Sequence, residues 1–268
     1  MILSIEQGKE FWDFFYKEIN LDDYKYKFLR EDIQRINQGT QSIYDITFFQ
    51  VQNDGWILII VSEGLIVYGK NWSLNQFDEI SECLDLKRFK NYLVYGESQL
   101  IKKLIEHFSV TDFFVEQERI FYRTSSSTNA ASPELNIRLG RKEDINILAK
   151  MLQQYYHEEY EGRNDKEIQQ LIFDITYHVY KESIYVLGNS QNQIISFCTI
   201  LNPDIGIMFT ERNHRNNGYG KLILSFCTRL ILQFNEEAFL MTDKKNPSSM
   251  QLLSVRATKA SMSMGTIE

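Results

Sequence analysis

The chain has 268 residues, 43% of them hydrophobic, and 29 basic against 36 acidic residues leave a formal net charge of −7. That is enough apolar material for one large or two ordinary domains. The modest acidity sets up no global field for nucleic acid or an anionic membrane, so neither is expected as a partner.

Only three prolines and the lack of a charged or Gly/Ser low-complexity run argue for a globular chain. Cys83, Cys198 and Cys227 are far apart and odd in number, with no C-x-x-C spacing. They read as small core residues, not as a disulfide framework or a metal site. The opening MILSIEQGKE has no basic region and apolar stretch of a signal peptide, and the longest strongly apolar run, Trp56 to Val61, is too short to span a bilayer. A cytoplasmic protein is the expectation.

In the first half, Phe11, Phe14, Phe15 and Ile19 are spaced for one helix face, and a second helix is expected near Tyr26 to Ile36. Strands follow at Ile46 to Val51, Trp56 to Ser62 and Leu65 to Tyr68, separated by the hairpin signals Asn53-Asp54-Gly55 and Glu63-Gly64. Then come a helix at Leu74 to Leu84, a strand at Tyr92 to Tyr95, a helix at Ser98 to Phe108, and strands at Phe113 to Val115 and Ile120 to Tyr122. Thr124 to Pro133 is the clearest small, polar stretch of the chain. It marks the expected boundary between domains 1–130 and 134–268.

The second half opens with a strand at Leu135 to Leu139, a helix at Lys142 to Tyr156 and another at Asp165 to Lys181. Strands at Ser183 to Leu187 and Gln193 to Leu201 flank a hairpin loop, and Ile205 to Phe209 is the next strand. After the turn Arg215-Asn216-Asn217-Gly218-Tyr219-Gly220, apolar residues recur at Leu222, Ile223, Phe226, Leu230, Ile231 and Phe234, one face of a helix. A helix start leaves N–H groups unpaired and carries a partial positive charge, so a loop wrapping its first turn can hold a phosphate. Gly218 and Gly220 are expected to allow positive φ and to let an anion reach the amides. Ala238 to Thr242 is the next strand, and Asn246-Pro247-Ser248-Ser249 reads as a helix start with Asn246 as cap.

Arg215, Gly218 and Gly220 fill an R-x-x-G-x-G pattern between strand and helix, with Thr210 five residues before the arginine. This stretch resembles the acyl-coenzyme A loop of the GNAT superfamily of N-acetyltransferases. The resemblance implies an α+β (α/β) fold in the C-terminal half, a mixed central sheet flanked by helices. The first half has a similar element order but carries Gly69-Lys70-Asn71-Trp72-Ser73-Leu74 at the loop position. It is either a divergent GNAT-like copy without a cofactor loop or an unrelated α+β domain.

The resemblance further implies acetyl-CoA as co-substrate, direct attack on its thioester by an amine, and no metal. The pyrophosphate would lie on the amides of Asn216, Asn217, Gly218, Tyr219, Gly220 and Lys221, with Arg215 near the phosphates. The backbone of Met208, Phe209 and Thr210 would pair with the pantetheine arm, and Asn246 and Ser249 are further expected cofactor contacts. The acceptor is a small-molecule or peptide amine. No base is singled out: Glu158, Glu159 and Glu161 follow the first helix, and His157 and His178 join them as candidates. The match breaks after Asn246, where Leu253 stands at the family's tyrosine place and no aromatic residue occurs beyond Phe239. Either the tail has diverged or the gene carries a local reading-frame change. Both readings leave the last strands and the acid role open, with an inactive coenzyme A-binding or scaffold protein as the alternative to an enzyme.

Overall fold

The computed structural model describes residues 2–4, 24–51, 55–89, 91–126, 136–245 and 258–267. The chain divides into two units: unit 1 takes Met1–Phe121, Thr242–Asn246 and Ala260–Glu268, and unit 2 takes Tyr122–Met241 and Pro247–Lys259. The expected helix around Phe11 and most of the expected linker lie outside the described residues.

Unit 1 begins with β1 (Ile2–Ser4), α1 (Lys27–Asn37), β2 (Asp45–Val51), β3 (Gly55–Val61) and β4 (Gly64–Lys70). It continues with α2 (Gln76–Cys83), β5 (Leu93–Glu97), α3 (Ser98–His107) and β6 (Phe113–Thr124). Strands β1 to β4 are antiparallel neighbours, and β5 runs parallel to β4. The sequence of β3, GWILIIV, is buried at every position because helices cover both faces of the sheet. Ile57, Ile59 and Val61 pack with Phe77 and Ile80 of α2 and with Leu100 and Leu104 of α3. Trp56, Leu58 and Ile60 point the other way and pack with Leu29 and Ile33 of α1. Each such side chain contributes about 1.5–3 kcal/mol of transfer free energy when fully buried.

Strand β6 is one continuous element, where two short strands were expected. The polar residues Glu116 to Arg119 fill the gap between the two expected strands. Glu118 accepts hydrogen bonds from Ser98 (3.1 Å), Lys102 (3.1 Å) and Lys244 (3.0 Å), so its charge is satisfied within the strand. Burial acts to raise its pKa, but the two lysines outweigh that and hold it below the usual carboxylate value.

Unit 2 contains β7 (Asn136–Leu139), α4 (Ile145–Glu159), α5 (Ile168–Tyr180), β8 (Ile184–Gly188), β9 (Ile194–Leu201), β10 (Asp204–Thr210), α6 (Tyr219–Leu232) and β11 (Ala238–Asp243). Strands β7 to β10 are antiparallel neighbours and β11 runs parallel to β10, the same order and sense as β1 to β5. Helix α4 starts three residues after the expected Lys142 because Lys142–Asp144 forms a tighter turn. Asp144 holds that turn, accepting two bonds from Arg138 (2.6 and 3.0 Å) and one from the Arg141 N–H (2.8 Å). Leu148 and Leu152 of α4 and Leu171 and Ile175 of α5 cover one face of the sheet. Ile223, Cys227 and Ile231 of α6 cover the other.

Cys198 and Cys227 are buried in that second core. A hydrogen bond from the Cys227 thiol to Cys198, with burial, pushes the Cys227 pKa well up, so it stays protonated and unreactive.

The last strand corrects the doubt about the tail. β12 (Thr258–Ile267) lies antiparallel to β5 in unit 1, with Met262 opposite Glu97 and Thr266 opposite Leu93. It sits between β5 and β6. Backbone ladder bonds suffice for this, even though the segment is poor in aromatic residues. No helix of the described residues is long and apolar enough to cross a membrane.

Candidate functional site

Strand β10 and helix α6 build the site. β10 pairs with β11 at only two positions, Asp204 with Phe239 and Ile205 with Leu240. From Gly206 onward β10 leaves β11, while it stays paired with β9 through Met208, Phe209 and Thr210. The register with β9 shifts between Ile205 and Met208, a bulge. Thr199 fills it: its Oγ1 accepts the Ile207 N–H at 2.8 Å and donates to the Ile207 carbonyl at 3.4 Å. Gly206 is required there, since a Cβ would stand 2.4 Å from Thr199 Oγ1. A glycine inside a strand is a bulge signal that the sequence reading did not use.

The loop after β10 turns on two left-handed residues, Asn216 (φ 63°) and Gly218 (φ 80°). Gly218 is the N-cap of α6 and, having no side chain, leaves the first-turn amides uncapped. Nothing within 4 Å would meet a Cβ at Gly218, so its conformation, not crowding, calls for glycine. Gly220 differs from expectation: it lies inside the first turn of α6 and is not among the positive-φ residues. Asn217 fastens the turn by donating to the carbonyls of Arg215 (3.0 Å) and His214 (3.3 Å). Tyr219 sits partly buried against the core under α6, and Lys221 is exposed.

Arg215 braces this loop. Its Nε donates to the Thr210 carbonyl at 2.9 Å, its guanidinium lies 5.1 Å from the centre of the Phe209 ring, and its Nη1 is 2.8 Å from Glu158. Thr210 is tied in turn to Ser196, hydroxyl to hydroxyl at 2.9 Å. Glu158 therefore stands as the partner of Arg215, with Arg212 at 4.0 Å, and not as an isolated base. No spacing rule links residues 57 positions apart, so that pairing was not legible. Glu159 is half-buried at the end of α4. His157 lies 3.0 Å from Asp165 on the surface, and Glu161 pairs with Arg163 at 3.5 Å. Asn246 and Ser249 lie outside the described residues.

His178 has a different setting. It lines a cavity of about 160 Å³ together with Leu152, Tyr156, Phe173, Asp174, Tyr177, Thr199 and Ile207. Its Nδ1 is 2.8 Å from Ser183 Oγ. Burial lowers its pKa below the ordinary histidine value, against a smaller opposing pull from Asp174. The ring is thus neutral at pH 7, as a proton acceptor must be. Ile207 and Thr199 bring this cavity to the bulge of β10, where that strand parts from β11. Asp174, one helical turn before His178, was missed, although their i, i+4 spacing is readable. Among the described residues no group of three or more His, Cys, Asp or Glu is placed to hold a metal ion.

No protein-family model and no curated protein matches the sequence. Solved structures do. A Drosophila protein is similar over 100% of this chain and 98% of its own, at 14% identity and a TM-score of 0.53. An acetyltransferase of the GNAT family from Colwellia psychrerythraea is similar over 83% of this chain and 85% of its own, at 12% identity and a TM-score of 0.53. At such identities the likeness concerns the fold alone, and it gives the chain a GNAT-like mixed α+β fold.

Proposed function

We propose that this GNAT-like chain is an acetyl-CoA-dependent N-acetyltransferase acting on an amine, with the cofactor held by unit 2. The observation that carries the reading is the parting of β10 from β11 beside a left-handed, uncapped helix start. Backbone groups of Gly206 to Thr210 that would face β11 are released for a pantetheine arm, and the amides of Tyr219, Gly220 and Lys221 present donors and a partial positive charge to a pyrophosphate. Acetyl-CoA supplies the activated acyl group when bound.

The chain's own residues supply position and polarity. Arg215, pinned between Thr210 and Glu158, fixes the loop relative to β10. An N–H of the free β10 edge polarises the acyl oxygen as negative charge grows on it. Orientation of amine and thioester on one strand supplies most of the acceleration expected of direct transfer. Unit 1, Met1–Phe121 with return segments from the tail, is read as a degenerate copy that holds no cofactor.

Thiol release from acetyl-CoA over a panel of primary amines tests this. Turnover with at least one amine, stoichiometric with acetylated product, is the expected result. Saturable acetyl-CoA binding without turnover on any amine would favour the inactive binding protein, for which Leu253 at the family's tyrosine place is the supporting feature.

A further inference from the structure

The cavity beneath α5 is small, aromatic and carries a single carboxylate. At about 160 Å³ it is well under the roughly 300 Å³ at which pockets for drug-sized ligands begin. Its inner wall is apolar, with Leu152, Phe197 and Ile207. Its outer wall is aromatic, and Phe173 and Tyr177 are 74% and 54% exposed, a cost for rings of this size unless something covers them. Asp174 and His178 are the carboxylate and the imidazole of the lining, and Asp174 makes none of the ion pairs among the described residues.

We propose that this cavity binds the acceptor, a small primary amine on a flat apolar body of the arylalkylamine class, with Asp174 facing its ammonium and His178 taking its proton. The proposal rests on the acetyl-transfer reading for its chemistry but not for its binding site. Ser183 settles the direction of proton flow. Its single hydroxyl hydrogen has two acceptors in reach, the His178 carbonyl at 3.3 Å and Nδ1 at 2.8 Å. Only a ring protonated on Nδ1, donating to Ser183 Oγ while that hydroxyl donates to the carbonyl, satisfies both contacts. Nε2 is then the basic nitrogen. The ammonium gives one proton to Nε2, and the amine nitrogen bonds to the thioester carbon. The carbon–sulfur bond breaks, and the thiolate leaves with the second amine proton as free thiol. The products are an acetamide, coenzyme A and one proton returned to water from His178.

The other charges around the cavity set its selectivity. Lys166 lies 4.3 Å from the centre of the Tyr156 ring and donates to its hydroxyl at 3.2 Å, and Lys181 lies 5.9 Å from the Tyr177 ring. From β9 and β10 the lining presents Phe197, Thr199 and Ile207, none of them titratable near neutrality. A second positive charge on the ligand would meet the lysines, so polyamines are disfavoured.

The experiment uses 2-phenylethylamine, n-butylamine, spermidine and a tripeptide with a free N-terminus, on the full chain. Direct binding is read first, by saturation-transfer NMR without acetyl-CoA, and thiol release second. 2-Phenylethylamine is expected to bind, and its kcat/KM to exceed those of the other three by about tenfold. Asp174→Asn is expected to raise its KM about tenfold with the Kd for acetyl-CoA unchanged. His178→Gln is expected to lower kcat by about 10²-fold and to remove the acid limb of the pH profile, which in the unaltered chain falls below the ordinary histidine range. No binding of 2-phenylethylamine, preference for spermidine or the tripeptide, or an unchanged KM in Asp174→Asn would each overturn the proposal. Binding lost in Asp174→Asn with no acetyl transfer at all would instead uphold the pocket and bring down the acetyl-transfer reading.

Discussion

Two loops of this molecule follow equivalent strands and end differently. In unit 2, β10 keeps two pairs with its parallel neighbour and then opens, and α6 begins at once behind Gly218. In unit 1, β4 keeps four pairs with β5, from Gly64 to Val67, and five residues lead from β4 to α2, against eight from β10 to α6. Trp72 fills the opening that remains. It stacks on Phe77 at 5.8 Å, its indole N–H is 3.3 Å from Glu97, and a Cβ on Gly69 would stand 2.8 Å from its ring. Gln76 turns back to accept the Ser73 N–H at 2.9 Å, using a donor that an anion would otherwise seek. One strand order thus yields an open cleft or a closed one, depending on what the following loop inserts.

Trp72→Ala is the harshest test of that contrast. It removes most of a half-buried ring and leaves the half-buried Glu97 carboxylate, whose pKa burial already raises, without its indole donor. A loss of about 2–3 kcal/mol in denaturant unfolding is expected, with no second acetyl-CoA site gained. A second site appearing in the variant would mean that Trp72 alone separates the two clefts. A smaller effect is expected in unit 2 from Glu158→Gln. The Glu158–Arg215 pair is about one-third exposed on each side, so it is partly screened. Titration should show acetyl-CoA binding weakened about two- to fivefold with the fold intact. An unchanged Kd would mean that Thr210 and Phe209 hold Arg215 unaided.

The legible parts were those where a local pattern matches the local cause. β3 is buried on both faces and reads as an unbroken apolar run, and α6 carries its apolar stripe directly after Gly218. What was missed depends on partners distant in sequence. Glu118 falls in the gap between the two strands expected there, and the Ser98, Lys102 and Lys244 that satisfy it come from elsewhere in the chain. The tail looked unfit for a strand, yet β5 offers it a ladder edge. Within the site, the glycine pattern located the loop, while the Arg215–Glu158 brace and the Thr199 plug of the bulge arise only from the fold. Gly206 and the Asp174–His178 spacing were visible signals left unread.

The central claim is that one cleft, at Gly218, binds acetyl-CoA. Calorimetric titration of the full chain and of the Gly218→Glu, Gly220→Glu double variant addresses it directly. A glutamate at Gly218 carries a left-handed strain of about 1–2 kcal/mol, and acids in the first turn of α6 favour the helix dipole, so the variant should fold. One site per chain is expected in the unaltered protein, and no saturable binding in the variant. Two sites per chain, or binding that survives the two glutamates, would contradict the claim.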